Sequence, residues 1–267
     1  MNIFKFEFKT YIKSILIWTL SISAGFILYM AFFPAIQTEA DAFNELMSSF
    51  PKEMLAIFGM NTDLPVTSML GYLGLTYSFM IIPVAIQASN YGFHMLSVEE
   101  RELTADFLMA KPVKRSKILF SKFAAALLAL SFTYFALWGS AALSVALFKG
   151  DEIVELSKVN TLMSLVILFQ LTFVSIGMVV SVMLKKIPSV LSFSMALGFG
   201  TFILNAFKNA LSSDLFGYLS PYSYYDYTSI LVSGDIELLG LIISLSVIVV
   251  SLTATYFLYN KRNISSL

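Results

Sequence analysis

Six stretches of this chain run for more than twenty residues without an Asp, Glu, Lys or Arg: residues 14–38, 64–98, 123–148, 159–184, 187–207 and 238–260. Each supplies the roughly 20 apolar residues that a helix needs to cross a hydrocarbon core about 30 Å thick. A lone segment in lipid must satisfy its own backbone hydrogen bonds, so the spans are expected to be helices. Barrel strands would be about half as long and would alternate in polarity. Composition agrees, because only 13% of the 267 residues are charged, against about 25% in a soluble domain. The expected fold is an all-α membrane protein with six transmembrane helices. The spans lie at about 14–36, 66–95, 123–148, 159–184, 188–207 and 238–260, and residues 1–267 form a single transmembrane domain.

The connecting segments give an orientation. With the N-terminus inside, 13 of the 17 Lys and Arg fall on inner segments and 4 on outer ones, while 12 of the 17 acids fall outside. The positive-inside bias therefore makes both termini cytoplasmic. In residues 1–13, Phe4, Phe8, Tyr11 and Ile15 recur at helical spacing, and Lys5, Lys9 and Lys13 repeat on a neighbouring face. This predicts an amphipathic helix at the interface, its lysines among anionic headgroups. The first outer loop, residues 37–63, is acidic. It carries Phe43, Leu46, Met47, Phe50, Leu55 and Phe58 at helical spacing broken by Pro51, which predicts one or two short helices. Pro83 interrupts the donor ladder of the second span. The second long outer loop, 208–237, is rich in tyrosine.

Several chemistries are excluded. The chain has no cysteine and a single histidine, His94, so thiolate sites and His-rich metal sites are out. No phosphate-binding G-x-x-x-x-G-K-[ST] loop, H-E-x-x-H or G-x-S-x-G motif occurs. Zero net charge gives no basic case for nucleic acid. No span carries an ionisable Asp, Glu, Lys or Arg at its middle, where ion-coupled transporters place one. A transporter of this sequence would draw its energy from outside the chain.

The densest charge lies between spans two and three, in residues 99–122. Leu103, Phe107 and Ala110 share one helical face and Glu99, Glu102 and Asp106 another, which predicts a short amphipathic helix over 98–110. Pro112 ends it. Such a helix can offer apolar knobs to a soluble partner; a solvated loop with ordinary inner charge is the plain alternative.

This segment resembles a known signature. The run Glu100-Arg101-Glu102-x-Thr104-x-Asp106-Phe107-Leu108-x-x-Lys111-Pro112-Val113-x-Arg115-Ser116-x-Ile118, closed by Lys122, is similar to the E-R-E-G-T-x-D-F-L-L-[ST]-K-P-V-[ST]-R-x-x-I…K pattern of ABC-2-type transporter permeases, the membrane subunits of ABC exporters. Leu103 stands where glycine is usual, and Lys114 where Ser or Thr is usual. The N-terminal "elbow" helix, the long first outer loop and Ser220-Pro221-Tyr222-Ser223-Tyr224 before the last span match the family in order. The resemblance implies a cytoplasmic coupling helix docked on an ATPase, carrying Glu99, Glu100, Arg101, Glu102, Thr104, Asp106, Phe107, Leu108, Lys111 and Pro112. It implies two copies of a cytosolic ABC ATPase subunit that hold ATP and Mg, so the chain itself is not an enzyme and holds no cofactor. It also implies a second permease copy or a related permease, and a multi-pass location in a bacterial cytoplasmic membrane. Export of multidrug or antimicrobial-peptide cargo is the family's habit.

Polar residues on apolar spans are candidates for a substrate path: Gln87 and Asn90, Gln170, Thr172 and Ser175, and Asn205. Each is equally a partner for an interhelical hydrogen bond worth roughly 0.6–2 kcal/mol. Tyr222, Tyr224 and Tyr225 are candidates for an outer gate, with an interfacial aromatic belt as the alternative. The absence of charge at mid-depth, with 25 Phe and 13 Met, favours a hydrophobic or amphipathic substrate such as a peptide, antibiotic or lipid. The functional alternative is a non-transporting membrane scaffold or sensor subunit.

Overall fold

The computed structural model describes residues 3–57, 60, 64–102, 113–184, 186–211 and 213–261. Among them, six helices are long and apolar enough to cross a membrane, and regular structure is helical throughout. The long helices are α1 (Ile3–Met30), α5 (Met69–Arg101), α6 (Arg115–Phe148), α7 (Leu156–Met183), α8 (Val190–Leu211) and α11 (Leu238–Lys261). Short helices fill the connections: α2 (Phe33–Thr38), α3 (Ala40–Ser48), α4 (Lys52–Ile57), α9 (Asp214–Leu219) and α10 (Tyr227–Ser233), with a 3-10 turn at Pro221–Tyr225.

The helix ends follow local chemistry. Pro34 occupies the first turn of α2, where its missing N–H costs nothing. Pro51 falls between α3 and α4, the break its position predicts. Helix α5 begins at Ser68, whose side chain accepts from the Gly71 N–H at 3.1 Å. The Glu152 carboxylate, from the loop after α6, accepts from the Met69 N–H at 3.0 and 3.1 Å. A carboxylate at that end complements the positive pole of the helix. Pro83 is accommodated within α5, which continues as one helix of 33 residues. Gly234, at φ 84°, closes α10 in the left-handed conformation open to glycine.

Helices α5 and α7 form the centre, and the other four long helices pack around them. The two approach so closely that a Cβ on Gly92 would lie 2.3 Å from the Val174 carbonyl oxygen. A Cβ on Gly177 would lie 2.9 Å from that of Ser89. In lipid, where tails are as apolar as Leu, such small-residue contacts are what bring helices together. Helix α1 packs along α6, α8 against α5, and α11 against α7. Their outward faces expose Leu16, Leu20, Leu28, Phe199, Ile203, Val249 and Val250, as lipid contact requires.

Two boundaries differ from the sequence reading. Residues 3–13 are continuous with the first span in one 28-residue helix, with Lys5, Lys9 and Lys13 exposed and Phe4 and Phe8 packed against the core. Helices α5 and α6 also run past the charges used to delimit the spans, to Arg101 and from Arg115. Charge marks where a side chain leaves lipid, not where backbone hydrogen bonding stops. Gly92→Val is expected to destabilise the bundle by about 1–3 kcal/mol or more through overpacking, seen as a lowered unfolding midpoint of the detergent-solubilised chain. Gly139→Val, at a glycine with open space beyond it, serves as the control.

Candidate functional site

The termini end of the bundle holds the chain's most unusual buried group. Lys122, about two turns into α6, is 0% exposed. Its ammonium donates to the Met95 carbonyl oxygen at 2.8 Å and pairs with the Glu7 carboxylate at 3.5 Å. It also forms a close ion pair with Glu99. Three helices meet there: α1 through Glu7, α5 through Met95 and Glu99, and α6 through Lys122. Glu99 sits in the last turn of α5, where the negative helix pole disfavours a carboxylate, and Lys122 offsets that. A buried ammonium needs such company, because removing one partner of a buried pair costs about 3–5 kcal/mol.

The coupling candidates divide here. Glu99 and Arg101 lie in the final turn of α5 and Glu102 caps it, so the acids predicted near the start of a separate helix close the second span instead. Arg101 contacts Glu102 at 4.0 Å. Glu100 is in α5, but its side chain is outside the described set. Thr104, Asp106, Phe107, Leu108, Lys111 and Pro112 lie outside the described residues. Across the mouth of the segment, Arg115 donates to the carbonyl oxygens of Tyr259 and Asn260 at 3.4 and 3.5 Å, joining α6 to the end of α11.

Above the ion cluster a polar seam continues between α1, α5 and α6. Tyr11 and Tyr91 pack in a tilted arrangement with centroids 4.6 Å apart, and Tyr91 donates to Ser14 at 3.1 Å. Gln87 donates to Thr133 at 2.8 Å, and Thr133 shares a hydrogen bond with Thr19 at 2.9 Å. His94 faces Tyr11 with ring centroids 6.0 Å apart.

The substrate-path candidates do not line one channel within the chain. Gln87 is fully buried in this first seam. Gln170 donates to the Leu130 carbonyl at 3.5 Å, and Ser175 donates back to Thr172 within α7 at 2.9 Å. Asn90 is half-buried. Thr172, at mid-length of α7, and Asn205 belong to a second seam on the α7, α8 and α11 side. There Thr172 bonds Ser244 of α11 at 3.1 Å and Tyr225 at 3.3 Å, and Tyr225 and Ser244 also share a short hydrogen bond. Asn205 accepts from Ser223 at 2.6 Å.

That second seam is built by the Pro221–Tyr225 turn, which inserts between α7, α8 and α11. Ser220 donates to the Thr201 carbonyl at 2.8 Å, Tyr222 to that of Gly198 at 3.2 Å and Tyr224 to that of Tyr218 at 2.7 Å. A Cβ on Gly240 would lie 2.5 Å from the Tyr224 carbonyl oxygen, so only glycine lets α11 approach the turn this closely. Tyr222, Tyr224 and Tyr225 are thus buried against three spans.

Glu7 escaped the sequence reading, and its signal was present. It stands four residues before Tyr11 and eight before Ile15, on the stripe that α1 buries, amid lysines that point outward. Among the described residues, no group of His, Cys, Asp and Glu could hold a metal ion.

The described residues thus form a multi-pass helical bundle with a buried ion cluster at the termini end and a tyrosine turn packed between spans elsewhere. The chain belongs to the family described as ABC-2 family transporter protein, whose model matches residues 1–264. None of the curated proteins compared matches the chain. Membership makes it an ABC transporter permease subunit and implies an ABC ATPase partner in general.

Lys122→Met is expected to cost about 3–5 kcal/mol, since it leaves Glu7 and Glu99 buried without their cation. Pairing it with Glu99→Gln recovers part of that loss, and unfolding midpoints of the single and double variants measure the coupling. Tyr225→Phe, which deletes a hydroxyl shared by Thr172 and Ser244, is expected to cost roughly 0.6–2 kcal/mol in the same assay.

Proposed function

We propose that this chain is the permease half of an ATP-driven exporter that moves a hydrophobic or amphipathic substrate, such as a peptide, antibiotic or lipid, outward across a bacterial cytoplasmic membrane. Two ATPase subunits bind ATP and Mg, and two permease halves, identical or related, enclose the path between them. The chain hydrolyses nothing itself.

The observation that carries this reading is the Glu7–Lys122–Glu99 cluster. It binds the end of α5, the start of α6 and the N-terminal helix into one unit. Residues 103–112 connect α5 to α6 at this point, so a push on that connection is delivered to three helices together. This is what a two-state element biased by a ligand on another subunit requires. Substrate class is supported by the lack of charge at mid-depth. The polar path candidates are mostly engaged within the chain, which supports a route at the permease–permease interface.

Co-expression with its ATPase tests the proposal. The two are expected to co-purify, and hydrolysis is expected to rise with substrate. Asp106→Ala and Phe107→Ala should lower substrate-stimulated hydrolysis and export about tenfold or more, while membrane insertion and the unfolding midpoint hold. Full transport in both variants removes the lever role. An ATPase that turns over identically with and without the chain favours a scaffold or sensor.

A further inference from the structure

At the end of the bundle opposite the termini lies a cavity of about 230 Å³, whose lining includes Lys208, Asp214 and Glu237 together with Tyr218, Leu239 and Ile243. Its placement is specific. Lys208 is in the last turn of α8, and Glu237 immediately precedes α11, so the charges sit where two spans leave the hydrocarbon. Leu239 is exposed on the lipid-facing side of α11. Among the described residues, none of the three charged side chains has an ion-pair or hydrogen-bond partner, although all three border one space. The Lys208 stem runs past Gly217, at ordinary contact distance (3.4 Å) from where a Cβ there would lie. The floor is the fixed turn, where Ser223 and Tyr224 are both held by hydrogen bonds.

We infer that this cavity is a binding site for the headgroup of a zwitterionic phospholipid bearing a primary ammonium, a phosphoethanolamine. One cation and two anions around a common space complement a ligand with one anion and one hydrogen-bonding cation. The phosphate meets Lys208 and the ammonium meets Asp214 and Glu237, each through charge-assisted hydrogen bonds. The glycerol and acyl chains leave along Leu239 and Ile243. The cavity falls below the ~300–1,000 Å³ of sites that enclose drug-sized ligands, which suits a headgroup whose tails stay in the bilayer. A trimethylammonium headgroup has no N–H to offer the carboxylates. An anionic glycerol headgroup would set its phosphate near two carboxylates with no cation of its own. The site goes beyond the export reading, and it holds whether or not the chain transports. Only the leaflet depends on orientation, and the charge bias makes it the outer one.

The test uses the purified full chain in detergent, without an ATPase, so its failure is separate from failure of the export reading. Short-chain phosphatidylethanolamine, phosphatidylcholine and phosphatidylglycerol are titrated in turn, and bound lipid is counted by native mass spectrometry. The ethanolamine lipid is expected to bind about tenfold more tightly than either other. Lys208→Gln and the double variant Asp214→Asn/Glu237→Asn are each expected to abolish that preference, and Lys208→Arg to keep it, with unfolding midpoints unchanged. Equal binding of the three lipids by the natural chain overturns the site, whatever the variants do. So does a preference that survives loss of all three charges. A cationic amphipathic peptide that binds there while the lipid does not overturns it in favour of a peptide subsite.

Discussion

Everything in this bundle is arranged about the contact between α5 and α7. A soluble helical protein packs because water expels apolar surface, but lipid gives no such drive. Two helices must instead come close enough for dispersion and backbone contact to outweigh their contacts with tails. Gly92 and Gly177 permit that approach on both sides of one crossing, and Ser89, fully buried, sits one turn away. The central pair then presents two flanks. The α5 flank receives α1 and α6 through the first polar seam, and the α7 flank receives α11 and the tyrosine turn through the second.

The Lys122 cluster adds a different kind of link. Two carboxylates and one ammonium out of water are costly, and apolar residues of similar volume would often hold three helices together as well. A charged cluster therefore contributes more to geometry than to stability. It fixes which turn of α1 meets which turn of α6, because Glu7 and Lys122 are mutually satisfied in one register only. Such a device belongs where position matters, and it lies where α1, α5 and α6 meet.

How much of this was legible in the sequence follows from the same physics. Runs free of charge located all six spans, because the cost of a charge in hydrocarbon shapes where charges fall. Pro51 and the phenylalanine spacing around it anticipated α3 and α4. The start of α6 was missed by eight residues, and the end of α5 by six, because an ionised side chain does not interrupt a helix. Lys122 looked like another inner positive charge; its burial depends on Glu99, which is near in sequence, and on Glu7, which is not. Thr172, Ser244 and Tyr225 come from three separate segments. The sequence singles out Thr172 and Tyr225 for separate roles and passes over Ser244, and only the tertiary contact makes them one network.

The two ends of the molecule are thus secured by opposite chemistries. At the termini end, charge pairs hold α1, α5 and α6, and Coulomb attraction falls slowly with distance, so a small displacement strains the cluster without breaking it. At the other end, hydroxyls hold α7, α8 and α11, and hydrogen bonds are lost within a few tenths of an ångström beyond their normal length. The close α5–α7 contact at Gly92 and Gly177 joins the end held by ion pairs to the one held by hydroxyl hydrogen bonds.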